Sequence, residues 1–281
     1  MLPAGTEDLI RRALLEDVGD GDHTSLSTIP AASRGAARLL VKQDGVLAGV
    51  ELAEAICAHF DPALRLRILI QDGAAVKTGD VAFTITGPAR SILTAERTVL
   101  NFMQRMSGTA TLTRRFVEAL EGTGCRVLDT RKTTPTLRAI EKWAVRIGGG
   151  HSHRFGLFDM VMIKDNHVDF AGGIHEAVRA TQRYLADNGM KLPIEVETRN
   201  LNEVRLALSI SGVQRIMLDN FGFDDLRKAV QLINNACETE ASGGITLANA
   251  RRYAESGVDF ISVGALTHSA GSLDLSLKAM I

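Results

Sequence analysis

Three short stretches of this chain bring cations together with histidines and glycines: Asp129-Thr-Arg-Lys-Thr133, Gly148-Gly-Gly-His-Ser-His-Arg154 and Ile163-Lys-Asp-Asn-His167. Each lies beside a short apolar run. Arg131, Lys132, Arg154 and Lys164 are the leading anion-binding residues. Arginine grips a carboxylate or phosphate through a planar fork, whereas lysine supplies a compact charge. Singly, each of these cations is an ordinary solvated side chain. Gathered at the ends of strands, they describe a pocket for a small, highly anionic ligand.

The acidic and glycine-rich residues further along complement these cations. Glu195 and Glu197 stand two apart on one run and share a strand face. Asp219 follows the apolar Ile216-Met-Leu218. A buried carboxylate needs a partner, which the cations can supply. The same carboxylates suit a sugar diol, or Mg²⁺ held through oxygen. For Glu195, an internal ion pair and a direct contact are both open. Ser242-Gly-Gly244 precedes a helical stretch, and Val263-Gly-Ala265 occupies the same place one unit later, followed by Thr267 and His268. Backbone N–H groups at such turns cradle phosphate. His153 adjoins Arg154 and can donate to a carboxylate, while His151 and His167 read as loop or packing residues. The His-x-His spacing lacks the nearby ligands that would complete a zinc set. Arg97 lies in a helical pattern among Leu93, Leu100, Phe102 and Met103. The residues alone assign it no role.

The elements that must position these groups fall into two patterns. Over the first part, helical spacing at 7–17 and 50–60 alternates with strand signals at 36–42, 64–70 and 81–86. The turns Asp72-Gly73 and Gly79-Asp80 bracket a hairpin-like stretch. A long helix is predicted from Ser91 to Leu120, with a break near Gly108. Beyond it, apolar runs at 125–129, 160–164, 194–198, 215–219, 237–241 and 260–263 alternate with amphipathic stretches at 173–186, 200–210, 223–235 and 246–256. Strand–helix repetition of this kind predicts a parallel sheet. Asp129, Lys164, Glu197, Asp219 and Ser242 all fall at or just past a run's C-terminal end. So many contributing strand ends favour an α/β barrel over a doubly wound sheet.

Composition narrows the classes further. The chain has 281 residues, with 32 Lys and Arg against 33 Asp and Glu, for a net charge of −1. That balance, with only 5% aromatic residues, argues against a nucleic-acid surface. The three cysteines, Cys57, Cys125 and Cys237, form no C-x-x-C pair and suggest a reducing compartment. The N-terminal segment shows no secretory pattern, and no apolar run has the length of a membrane span. A cytoplasmic location is expected.

Taken together, the chain resembles the carboxylating nicotinate-nucleotide pyrophosphorylases, also called quinolinate phosphoribosyltransferases. The resemblance rests on Glu96-Arg-Thr-Val-Leu-Asn101, on the three cationic segments (the second extending through Leu157), and on Glu195-Val-Glu197, Leu218-Asp-Asn220, Ser242-Gly-Gly244 and Val263-Gly-Ala-Leu-Thr-His268. It implies an N-terminal α/β sandwich over 1–108, an open α/β barrel over 109–269, and a tail, 270–281, packing on the sandwich. It implies decarboxylating transfer from 5-phosphoribosyl-1-pyrophosphate (PRPP) to quinolinate, with Mg²⁺, in NAD biosynthesis. Carried over by position, Arg131, His153, Arg154 and Lys164 surround the pyridine dicarboxylate, and Arg97 reaches it from the partner of a homodimer, which in some members assembles into a hexamer. Lys132 and Lys164 lie near the phosphoribosyl donor. Glu197 and Asp219 hold ribose hydroxyls or the hydration shell of magnesium. Ser242, Gly243, Gly264 and His268 hold the 5′-phosphate. Competing readings are a nicotinate phosphoribosyltransferase without decarboxylation, a sugar-phosphate aldolase or isomerase, and a phosphometabolite sensor.

Overall fold

The computed structural model describes residues 2–280. Met1, at the head of the N-terminal segment read above, and Ile281, the last residue of the tail, lie outside them. The chain divides into two compact units that interleave in sequence. One contains residues 1–114, 134–149 and 266–281, the other 115–133 and 150–265.

The first unit is built on an antiparallel sheet in the order Leu275–Met280, Arg34–Val41, Val81–Pro88, Arg65–Ile68. Along Arg34–Val41 the apolar Ala37, Leu39 and Val41 alternate with more exposed neighbours, so one face of the sheet is buried. Ile10 and Leu14 of the Thr6–Val18 helix, Leu52 and Ile56 of Val50–Phe60, and Met103 and Met106 of Ala89–Ala119 join it in one apolar core. The strand Leu275–Met280 pairs with Arg34–Val41 from Ala36↔Met280 to Val41↔Leu275. Its partner lies some 240 positions away in sequence, a pairing that no local pattern announces (281-residue chain). The hairpin-like stretch is not a local hairpin, because Ala75–Val76 pairs with Gly45–Val46.

The break expected at Gly108 is absent: one helix runs from Ala89 to Ala119. The glycine serves close packing instead. A Cβ at Gly108 would lie 1.7 Å from the Gly271 carbonyl oxygen. The chain following Gly271 is held to the same helix, where the Leu273 N–H donates to Gln104 O at 2.9 Å and Gln104 Nε2 donates to Leu275 O at 2.9 Å. Gly108→Ala is expected to lower stability by at least about 1–3 kcal/mol, the usual cost of overpacking, measurable as a fall in Tm.

The second unit carries six parallel strands in the order Arg126–Leu128, Phe260–Ser262, Glu238–Ser242, Arg215–Asp219, Ile194–Thr198, Val161–Ile163. The helices Ile174–Asp187, Leu201–Leu208, Phe223–Ile233 and Leu247–Ala254 alternate with them. They bury apolar stripes, among them Ala177 and Val178, Val204 and Ala207, Leu226 and Ala229. Among the described residues the two outermost strands are not paired to each other, so the sheet is left open. His151 prolongs one edge through a parallel bridge to Leu128. The interior carries charge: all five residues of Ile194–Thr198 are buried, including Glu195 and Glu197.

Candidate active site

Parallel strands put all their C-terminal ends at the same edge of a sheet. Ser242 aligns with Asp219, Thr198 with Leu218, and Ser262 with Leu128. Lys164 follows Val161–Ile163, Gly264 lies just beyond Phe260–Ser262, and Asp129 and Arg131 follow Arg126–Leu128. Asp129, Arg131, Lys132, His153, Arg154, Lys164, Glu197, Asp219, Ser242, Gly243 and Gly264 all belong to this one unit. Arg97 and His268 do not. Arg97 is exposed on the Ala89–Ala119 helix, and His268 is exposed with its Nδ1 2.7 Å from Ser269 Oγ.

Asp129 organises the cationic side. It is fully buried, and one carboxylate oxygen accepts the His153 N–H at 2.8 Å. The Arg154 guanidinium donates through Nη1 to Met160 O at 3.2 Å. Its pKa is held below the usual arginine value, first by burial and then by the charge of Arg131. These two guanidiniums are thus within electrostatic reach, which is the condition for gripping one anion together. Phe155 and Gly156 N–H groups both donate to Asp159, at 2.6 and 2.9 Å, closing the loop beyond Arg154. Lys132 is exposed, its N–H donating to Thr130 Oγ1 at 3.0 Å.

The acidic side is equally built. Lys164 Nζ donates to Glu197 Oε2 at 2.8 Å, with the lysine half exposed and the glutamate nearly buried. The Lys164 N–H donates to His167 Nδ1 at 2.9 Å, so this histidine caps the Asp165–Ala171 helix, an element the sequence reading missed. Asp219 accepts from Ser242 Oγ and from Asn220 Nδ2, each at 2.6 Å. Gly243 is required in the next turn. Its φ is 93°, and a Cβ there would lie 2.1 Å from Asn220 Oδ1. Glu197 and Asp219 therefore stand at the ends of adjacent strands as hard oxygen donors. Such a pair fits magnesium, which keeps much of its water and takes one or two carboxylates together with substrate phosphates.

Beneath the strand ends lies a charged cluster that the sequence reading found only in part. His153 Nε2 is 3.0 Å from Glu195 Oε2 and 3.4 Å from Glu240 Oε2. Arg215 Nη1 donates to Glu240 Oε2 at 3.0 Å and Nη2 to Glu238 Oε2 at 2.8 Å. Both Glu195 and Glu240 are fully buried. Burial opposes a charge on His153, but the two carboxylates outweigh it and lift its pKa to about 9. The Arg154 N–H pulls the other way by donating to Nδ1 at 2.6 Å, because an imidazolium has no acceptor. Glu195 is raised by burial and then by the charge of Glu240. Glu240 is lowered, burial being overcome by His153 and Arg215. Glu240 and Arg215 went unremarked in the sequence. The signal available was a charged residue at alternate positions, Glu238 and Glu240, in a run destined for burial.

Two of the three thiols are removed from chemistry by burial. Burial pushes the pKa of Cys57 and of Cys125 up to about 12, which leaves both as inert thiols.

Fold and site define a class: an open α/β barrel whose strand ends set clustered cations against carboxylates and a glycine turn. Two family models match the chain, "Quinolinate phosphoribosyl transferase, N-terminal domain" over residues 22–107 and "Quinolinate phosphoribosyl transferase, C-terminal domain" over 109–278. The chain is 48% identical over 285 residues to the chloroplastic nicotinate-nucleotide pyrophosphorylase [carboxylating] of Oryza sativa, covering 96% of this chain and 76% of that protein. It is 47% identical over 285 residues to quinolinate phosphoribosyltransferase [decarboxylating] 1 of Nicotiana glauca, covering 96% of this chain and 81% of that protein. Among solved structures, NadC from Streptococcus pyogenes superposes with a TM-score of 0.93 at 37% identity, over 100% of this chain and 99% of that one. The chain belongs to the quinolinate phosphoribosyltransferase family.

Proposed function

We propose that this protein transfers the phosphoribosyl group of PRPP to quinolinate, releasing pyrophosphate and carbon dioxide and forming nicotinate mononucleotide for NAD biosynthesis. What supports this reading is that Arg131, Arg154 and Lys164 belong to the same unit as Glu197, Asp219 and the Ser242-Gly-Gly turn, with Lys164 paired to Glu197 and Ser242 bonded to Asp219. Two anionic reactants need such compensation, and an aldolase or isomerase acting on one phosphate would not call for it.

Arg131, Arg154 and Lys164 bind the two carboxylates and orient the pyridine nitrogen toward the anomeric carbon. The nitrogen forms the new C–N bond as the bond to pyrophosphate breaks. The ring nitrogen of the adduct is then positive. It stabilises the electron pair left on the adjacent ring carbon when that carboxylate departs as carbon dioxide, and a proton takes its place. No covalent nucleophile is needed, so positioning and charge compensation supply the rate gain. In this scheme Glu197 and Asp219 hold the ribose hydroxyls or the water shell of magnesium, which when bound neutralises charge on the leaving pyrophosphate. Lys132 attends the donor, His153 belongs to the dicarboxylate pocket, and Ser242, Gly243 and Gly264 hold the 5′-phosphate. Lys164 is already an ion-pair donor to Glu197, which suits an electrostatic contact better than a general base.

Incubation with quinolinate, PRPP and Mg²⁺ is expected to yield nicotinate mononucleotide, identified by mass, and one carbon dioxide per nucleotide (equal amounts). Turnover of nicotinate without carbon dioxide release would favour the non-decarboxylating reaction, and binding without turnover would favour a sensor.

The reading extends to a homodimer in which Arg97 serves the partner's site. Its support is an exposed arginine on a helix that otherwise buries Ile92, Ala95, Val99 and Leu100. Mixing inactive Arg97→Ala and Lys164→Ala chains is expected to restore activity in heterodimers, since one of the two sites then has both residues. Heterodimers that form and stay inactive would place each site within one chain. The cytoplasmic assignment rests on the three free cysteines and is checked by cell fractionation. The Oryza sativa relative carries a chloroplastic name. Among the described residues no helix is long and apolar enough to cross a membrane.

A further inference from the structure

We infer that Glu195, Glu240 and Arg215 are positioning residues, which act through the His153 imidazole to set the Arg154 backbone and hence its guanidinium for the dicarboxylate. The inference rests on the proposed reaction for the identity of that ligand. Its geometry comes from the second unit alone. His153 is buried, with Nε2 facing Glu195 and Glu240 at 3.0 and 3.4 Å. Nδ1 accepts the Arg154 N–H at 2.6 Å. Its own N–H is held by Asp129 at 2.8 Å. Nδ1 is thus engaged by the Arg154 N–H while Nε2 faces two buried carboxylates, so in this scheme His153 acts on the ligand through Arg154.

The cluster is a costly thing to bury for its own sake. Two fully buried carboxylates, an arginine and an imidazole fill space that aliphatic side chains could occupy with equal or better stability. What charged groups add is direction: Arg215 fixes Glu240 through a hydrogen bond, and the two carboxylates face Nε2 at close range. Arg215 spans two residues of the neighbouring strand, Glu238 and Glu240, and stacks 4.3 Å from the centre of the Phe260 ring. Glu240 is thereby locked, Glu240 and Glu195 bracket Nε2, and the ring plane follows. The trio His153, Glu195 and Glu240 has the composition of a metal site, with ligand atoms within 4.8 Å of one another. However, the Arg215 guanidinium already supplies the cation to Glu240.

The test compares the affinities of the full-length protein for the two substrates, measured separately by calorimetry, with turnover recorded alongside. Glu195→Leu is expected to raise the Kd for quinolinate by about 10- to 100-fold, the scale of an angstrom-sized misplacement of a binding group. The Kd for PRPP is expected to stay within about twofold, because Asp219 accepts from Ser242 and Asn220 and the Lys132 N–H donates to Thr130, all outside the cluster. Glu195→Gln is expected to recover most of the loss, since its amide oxygen takes the place of a carboxylate oxygen 3.0 Å from Nε2. Should Glu195→Leu fail to fold, Arg215→Lys keeps the charge, loses the fork, and is expected to weaken quinolinate binding in the same selective way. Unchanged quinolinate affinity in the folded variants, equal weakening of both substrates, or a Gln variant no better than Leu would each overturn the inference. Wild-type protein that binds quinolinate without turning it over would defeat the reaction and leave the positioning result standing. Wild-type protein that binds none would defeat both.

Discussion

Replacing Arg154 with alanine is expected to lower kcat/KM for quinolinate by about 30-fold to several thousand-fold, the equivalent of about 2–5 kcal/mol for a desolvated charge-assisted contact. Arg154 is only half-buried, so water retains part of the interaction and the lower half of that range is favoured. The size of the effect comes from two sources. The fork that meets a carboxylate is lost, and the dicarboxylate then faces Arg131 and Lys164 with one cation fewer. Burial and then the like charge of Arg131 hold the Arg154 pKa below the usual arginine value, and an anion bound beside the two guanidiniums offsets that like charge. Arg154→Lys is expected to recover charge but not the two-point grip, and so to fall between wild type and alanine. Steady-state kinetics with each substrate varied in turn provides the check. An unchanged KM and kcat for quinolinate would remove Arg154 from the site.

The second large effect is expected at Asp219. Its two oxygens accept from Ser242 Oγ and Asn220 Nδ2 at 2.6 Å, tying the end of one strand to the glycine turn that follows the next. Asp219→Ala removes a donor-side ligand and also releases both hydroxyl and amide. Hydrogen bonds to a charged group contribute about 1.5–3 kcal/mol each, which corresponds to a loss of about 10- to 150-fold for a single lost ligand contact. The loss is expected in KM for PRPP and in kcat, with the KM for quinolinate much less affected. Asp219→Asn keeps an oxygen for Ser242 but lacks the charge, so it separates the two contributions. If Asn restores donor affinity, the hydrogen-bonded scaffold dominates. If it behaves as alanine, the negative charge does. Equal donor affinity and turnover in the alanine variant would count against any part for Asp219 in donor binding.

Much of this architecture is legible in the chain. The apolar run at 194–198 is the strand Ile194–Thr198, and the amphipathic stretch at 223–235 is the helix Phe223–Ile233. Such periodicities are local, so they survive without knowledge of partners. The cationic segments were also legible, since charge held next to glycine and at strand ends is unusual for a purely solvated surface. Gly108 misled because a glycine inside a helix has two meanings: a weak point, or a place where another backbone comes close. Only the Gly271 carbonyl, far along the chain, decides between them. The strand Leu275–Met280 was invisible as a strand for a similar reason, as its half-exposed, half-buried pattern makes sense only beside Arg34–Val41.

The order of side chains along each strand, the residue types at the strand ends and the succession of strand and helix are properties of the chain itself, because they depend on spacing within a few residues. Which buried charge meets which is not. Glu195, Arg215 and Glu240 sit on three neighbouring strands, and the register Glu195↔Arg215 and Glu240↔Met217 brings them together beneath His153. A slip of one residue in either pairing would turn those side chains to the opposite face of the sheet, with no change in any local pattern.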